Sequence, residues 1–99
     1  MTNGRLEKII ETISSNISYL KKAYNVKKIG IFGSTVNGEY GKASDVGILV
    51  EFDRPIGFFK FIELEDYLSK ILGRKVDLVT KNALKPLIKK ELLKETVFV

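Results

Sequence analysis

Cysteine and histidine are both absent from the 99 residues. Without cysteine there is no disulfide and no thiolate metal site. Without histidine there is no Ser-His-Asp triad, no histidine-ligated zinc and no imidazole base. Any catalysis would have to run on carboxylates, lysines, hydroxyls, backbone amides or a hard metal ion. Long apolar runs are missing too: none approaches the ~18 residues of a membrane span, and the first residues lack the apolar core of a signal peptide. These absences lead us to expect a cytoplasmic protein with no membrane partner.

What is present suits a single globular domain over 1–99. Hydrophobic residues make up 44% and charged residues 29% of the chain, with no internal repeat and no low-complexity linker. A chain of this size buries about 60–70% of the surface its unfolded state exposes, enough for one modest core. The net charge of +5 favours polyanionic partners, from nucleotides to nucleic acid. The lysines are spread along the chain without aromatic residues among them, which favours a solvated surface over a nucleic-acid-binding domain and keeps the latter as an alternative.

The hydrophobic pattern gives the element order. From Arg5 to Tyr24, residues Leu6, Ile9, Ile10, Ile13, Ile17 and Leu20 recur at three- and four-residue steps, predicting one amphipathic helix stopped at Asn25. Ile29 to Phe32 reads as a short buried strand breaking at Gly33-Ser34. Thr35 to Ala43 reads as a helical turn plus a loop. Asp45 to Phe52 is a second strand and Asp53-Arg54-Pro55 a turn. A helix is expected over Gly57–Leu72 with Phe58, Phe61, Ile62, Leu64, Leu68 and Ile71 facing inward and Gly73 ending it. Arg74–Thr80 is a third strand, Leu84–Glu95 a helix with a wet lysine face (Lys85, Lys89, Lys90, Lys94), and the segment from Thr96 a possible last strand. The fold class is α/β (α+β), a small mixed sheet with helices packed against it.

Three places carry chemistry. A strand that ends in Gly33-Ser34 and turns into a helix presents free backbone N–H groups and a partial positive charge to phosphate oxygens; strand-ending turns use the same pair for geometry alone. Asp45 opens an apolar strand, where aspartate is depleted, so it needs solvent, its own backbone or a bound partner. Asp77 sits between Val76 and Leu78, either exposed on a sheet edge, paired with Arg74 or Lys75, or holding a cation. Two aspartates on neighbouring strands can share magnesium, completed by triphosphate oxygens and water.

Gly33-Ser34, ten residues ending in Ser44, then Asp45 running into Ile48-Leu49-Val50-Glu51-Phe52, with Asp77 on a later strand, resembles the minimal nucleotidyltransferases. These are small members of the DNA polymerase β-like superfamily, and the match covers nearly the whole chain. The resemblance implies the nucleotidyltransferase fold and Mg²⁺-dependent transfer of a nucleotidyl group from ATP, or another nucleoside triphosphate, to a hydroxyl. It also implies a HEPN-domain toxin as partner, the chain being the antitoxin and a partner tyrosine the AMP acceptor. By the same resemblance Gly33 and Ser34 would bind the nucleotide, and Asp45 and Asp77 would be the catalytic metal ligands.

The chain departs from that pattern at Gly47, where a second aspartate is expected. A glycine in a strand interior points to a bulge or a close backbone approach, or else to a lost ligand. Losing even a supporting partner of a metal ligand typically costs ~10–100-fold in affinity or activity, so impaired transfer is expected. Glu51 shares the strand, but each two-residue step adds ~6.5 Å, too far to substitute. Asn37 stands where relatives commonly carry arginine, weakening the expected grip on phosphate. A catalytically inactive module that neutralises a HEPN toxin by contact is the alternative.

Overall fold

The computed structural model describes residues 4–33, 36 and 45–99. Its first element is broken where the hydrophobic stripe runs on without interruption. Helix α1 spans Gly4–Ser15 and α2 spans Ile17–Tyr24, with Asn16 between them at φ −108° and ψ 5°. The Asn16 N–H reaches back only three residues, to the Ile13 carbonyl at 3.0 Å. Its side-chain amide donates to the Thr12 carbonyl at 2.8 Å, and its amide oxygen accepts the Tyr67 hydroxyl at 2.8 Å. Periodicity of apolar residues is insensitive to a one-residue kink of this kind. Asn25 ends α2 in the left-handed region, as expected, at φ 54°.

Among the described residues four strands follow: β1 Val26–Phe32, β2 Val46–Phe52, β3 Val76–Thr80 and β4 Val97–Phe98. They form one sheet in the order β3-β2-β1-β4, with β2 antiparallel to β1, β3 parallel to β2, and β4 antiparallel to β1. Helix α3, Gly57–Leu72, connects β2 to β3 and ends at Gly73, whose φ of 65° is the left-handed cap the sequence predicts. After β3 come a short 3₁₀ turn, Lys81–Ala83, and helix α4, Pro86–Glu95. The sequence reading starts this last helix two residues earlier. Lys85 is extended instead, because a residue before proline avoids the helical region, while Pro86 is well placed at the first helical position.

The core lies between the sheet and α1, α2 and α3. Ile29, Ile31, Val46, Ile48, Val50, Val76 and Leu78 point from the strands towards Ile9, Ile13, Leu20, Leu64 and Leu68. Burying a leucine or isoleucine of this kind contributes ~1.5–3 kcal/mol each. Two residues expected to face inward do not: Phe58 is 71% exposed and Ile62 is also exposed. At 3.6 residues per turn Ile62 swings well away from the Leu64–Leu68 line. Phe58 lies in the first turn and its ring meets Phe59 edge-on at 5.8 Å.

Helix α3 also seals the β3 edge of the sheet. The Leu78 N–H donates to Glu65 Oε2 at 3.0 Å and the Val76 N–H to Ser69 Oγ at 3.1 Å. Unpaired edge N–H groups invite pairing with other chains, and these two are occupied. Across the α2–α3 seam, Tyr24 is buried against Tyr19 and Tyr67. Burial, with the hydrogen bond to Tyr19 second, pushes the Tyr24 hydroxyl up to about 12. No helix among the described residues is long and apolar enough to cross a membrane.

Strand β4 runs in the same direction as β3, since both are antiparallel to β1, yet the two stand at opposite edges. Crossovers between parallel strands are right-handed. The β2-to-β3 and β3-to-β4 crossovers move in opposite lateral directions, so α3 and α4 lie on opposite faces of the sheet. Leu49, 1% exposed but outside the main core cluster, marks the second, thinner apolar layer on the α4 side.

Candidate functional site

Strand alternation decides which side chains share the α4 face. With Val46, Ile48 and Val50 committed to the core, Asp45, Gly47, Leu49 and Glu51 of β2 and its leading residue fall on the other side. Asp77 and Val79 of β3 join them, as do Lys28, Gly30 and Phe32 of β1. The parallel register pairs Gly47 directly with Asp77, and the antiparallel register pairs Gly47 with Phe32. Gly47 is therefore flanked by Asp77 on one side and Phe32 on the other, with Asp45 one alternation ahead.

Asp45 and Asp77 are both exposed. Asp45 precedes β2, whose start is held by the Val46 N–H bonded to the Lys75 carbonyl at 2.9 Å. Strand spacing and rise place the two aspartate α-carbons roughly 8 Å apart, a distance two carboxylates can bracket around one cation with Mg–O bonds of ~2.1 Å. Asp77 lies exposed on the edge strand, and among the described residues no ion pair holds it. Glu51, at the far end of the face, is instead 3.8 Å from Lys81 Nζ.

Gly33 terminates β1 at φ +83°, a conformation that disfavours any side chain, and its carbonyl accepts the Val36 N–H at 3.1 Å. Among the described residues nothing lies within 4 Å of where its β-carbon would be. Ser34 and Asn37 lie outside the described residues. Gly33, Asp45, Gly47 and Asp77 thus gather at one end of one sheet face.

The surroundings of Gly47 bear on its origin. A β-carbon there would stand 2.8 Å from Phe32 Cε2, 2.9 Å from the Phe32 carbonyl oxygen and 3.0 Å from Phe32 Cδ2. The Phe32 backbone and ring thus approach Gly47 closely, and the strands pair there without a bulge. Phe32 is the residue that sequence reasoning missed. Its position opposite Gly47 follows from the β1–β2 register, and no local signal in Ile31-Phe32-Gly33 announces it. Among the described residues no group of three His, Cys, Asp or Glu side chains could hold a metal ion.

The family model for the nucleotidyltransferase domain matches residues 6–99. The chain belongs to that family. It is 46% identical over 94 residues to the protein adenylyltransferase MntA of Thermococcus cleftensis, covering 95% of each chain. Its fold superposes with a TM-score of 0.80 on a solved structure described as that of a minimal nucleotidyltransferase, at 26% identity and 93% coverage of each chain. It also matches, at a TM-score of 0.61 and 21% identity, a complex from Shewanella oneidensis of a tri-AMPylated HEPN toxin with an MNT antitoxin. That match covers 99% of this chain and 71% of the other, and at this identity it speaks for the fold. The expected nucleotidyltransferase fold is therefore observed.

Proposed function

We propose that this nucleotidyltransferase is the antitoxin-type partner of a HEPN-domain protein. In this reading it binds ATP with Mg²⁺ and retains a weakened capacity to transfer AMP to a tyrosine hydroxyl of that partner. The observation that carries the reading is the register Gly47–Asp77 with Asp45 one alternation ahead, on the face where Gly33 turns. The Thermococcus relative, a protein adenylyltransferase, and the Shewanella complex, an AMPylated HEPN toxin bound by an MNT antitoxin, support a protein acceptor and a HEPN partner.

Each residue has a role in this scheme. The Gly33 turn, with Ser34 after it, lets backbone donors approach the triphosphate. Asp45 and Asp77 hold the cation from two strands; when bound, Mg²⁺ would neutralise phosphate charge and favour the deprotonated acceptor hydroxyl. Asp45, at the strand end, stands nearer the open rim, and Asp77 supports the cation from the neighbouring strand. Gly47 contributes no carboxylate, so the site has one fewer negative charge to offer a second cation.

A second reading, contact without turnover, is favoured by Phe32 filling the space beside Gly47. Calorimetric titration of Mg²⁺·ATP into the native protein and into Gly47→Asp separates the two. Mg²⁺-dependent binding by the native protein supports the nucleotide site. Binding by the variant alone leaves the chain a disarmed member that acts by contact. Silence from both overturns the site.

A further inference from the structure

Helix α4 is held in place differently from the other helices. None of its residues is buried, and Leu87 is 82% exposed, with Ile88 also open to solvent. Burial of an apolar face is what stabilises most helices in proteins, and this one has little of it. Its hold on the molecule comes at its C-terminal end, from β4. Phe98 pairs with Gly30 and Val97 with Ile31, and the Val99 N–H donates to the Ile29 carbonyl at 2.9 Å. Lys28 Nζ lies 5.6 Å from the Phe98 ring centroid.

Gly30 is the notch that admits this strand. A β-carbon at Gly30 would stand 2.5 Å from Thr96 Cγ2 and 3.0 Å from both Phe98 Cδ1 and the Val97 carbonyl oxygen. The absence of a side chain at one position of β1 therefore lets the whole α4–β4 segment seat. Thr96, at the end of α4, stands against Gly30 on the sheet face that also carries Asp45 and Asp77, and β4 covers the edge of the strand that ends at Gly33.

We propose that α4 and β4 form a strap across the candidate nucleotide face, clipped to β1 at Gly30 and able to release as one unit without unfolding the rest. Release bares the β1 edge and widens access to the face. The link to nucleotide access rests on the site reading above; the strap itself does not. Segments with few buried apolar side chains open at free energies far below that of global unfolding.

Hydrogen–deuterium exchange on the full chain tests this. Peptides spanning 86–99 should exchange together, at least ~100-fold faster than those spanning 46–50. Gly30→Val fills the notch and should speed strap exchange by a further ~10-fold while β2 and β3 stay protected. Phe98→Ala, which leaves the main core intact, should act in the same direction. Exchange of 86–99 at the rate of β2 in the native chain would overturn the proposal, as would Gly30→Val and Phe98→Ala both loosening every strand equally. Saturating Mg²⁺·ATP should alter exchange of the strap. If calorimetry shows ATP bound and the strap unmoved, the gating role falls; if no ATP binds, the site reading falls, and fast exchange of 86–99 still supports the strap.

Discussion

The Phe32 ring lies against Gly47, its antiparallel partner, in the space a side chain at 47 would occupy. Gly47→Asp therefore does more than introduce a carboxylate. The ring can swing aside, but the Phe32 carbonyl oxygen, 2.9 Å from the new β-carbon, is fixed in the strand pairing. Overpacking of this kind costs about 1–3 kcal/mol. Denaturant melts should show Gly47→Asp destabilised in that range, with Phe32→Ala recovering part of the loss. A double-mutant cycle should give a coupling of at least about 0.5 kcal/mol. A coupling of zero would mean that the ring does not constrain position 47.

Asp77 is exposed and its loss should leave the fold intact. Asp77→Asn should lower Mg²⁺-dependent ATP affinity by ~10-fold or more while shifting stability by less than about 0.5 kcal/mol. Titration calorimetry together with a thermal melt checks both halves. Unchanged ATP affinity would remove Asp77 from the site.

Glu65 acts on the sheet edge and not on the site. Its carboxylate takes the Leu78 N–H at 3.0 Å, and hydrogen bonds to charged groups contribute ~1.5–3 kcal/mol. Glu65→Ala should lose about that much stability and leave an open β3 edge. Light scattering should then report more association than for the native chain. A variant that associates no more than the native chain and is equally stable would refute this account of the edge.

Tyr24 links stability to alkaline pH. Its folded value of about 12 lies above the ordinary value near 10, because burial, then the Tyr19 hydrogen bond, disfavour the phenolate. The neutral hydroxyl is thus the form the fold prefers. Its contribution is fully present below pH ~10 and is lost as pH rises from there through ~12, where the unfolded chain ionises first. Stability measured across pH 9–12 should fall, and Tyr24→Phe should flatten that fall. Parallel curves for the two proteins would assign the alkaline loss to other groups.

How much of this was legible in the chain differs element by element. The Gly57–Leu72 helix, its Gly73 cap and the Asn25 stop were readable because helical periodicity and left-handed caps are local properties. The Gly33, Asp45 and Asp77 positions were readable as candidates because a positive-φ turn and two misplaced strand aspartates stand out against their neighbours. The kink at Asn16 was not, since it depends on the Tyr67 hydroxyl, 51 residues away. The exposure of Phe58 and Ile62 was not either, because an apolar residue signals the capacity for burial and not the presence of something to bury it.

By itself, then, the sequence determined which chemistry is available, where most helices and strands fall, and that position 47 has no side chain to offer. Only the tertiary structure decided that Gly47 stands between Asp77 and Phe32, that the Phe32 ring fills the adjacent space, and that Gly30 receives β4. Those three facts come from strand register. Register is set by how separate segments bury their faces together, so no single segment records it.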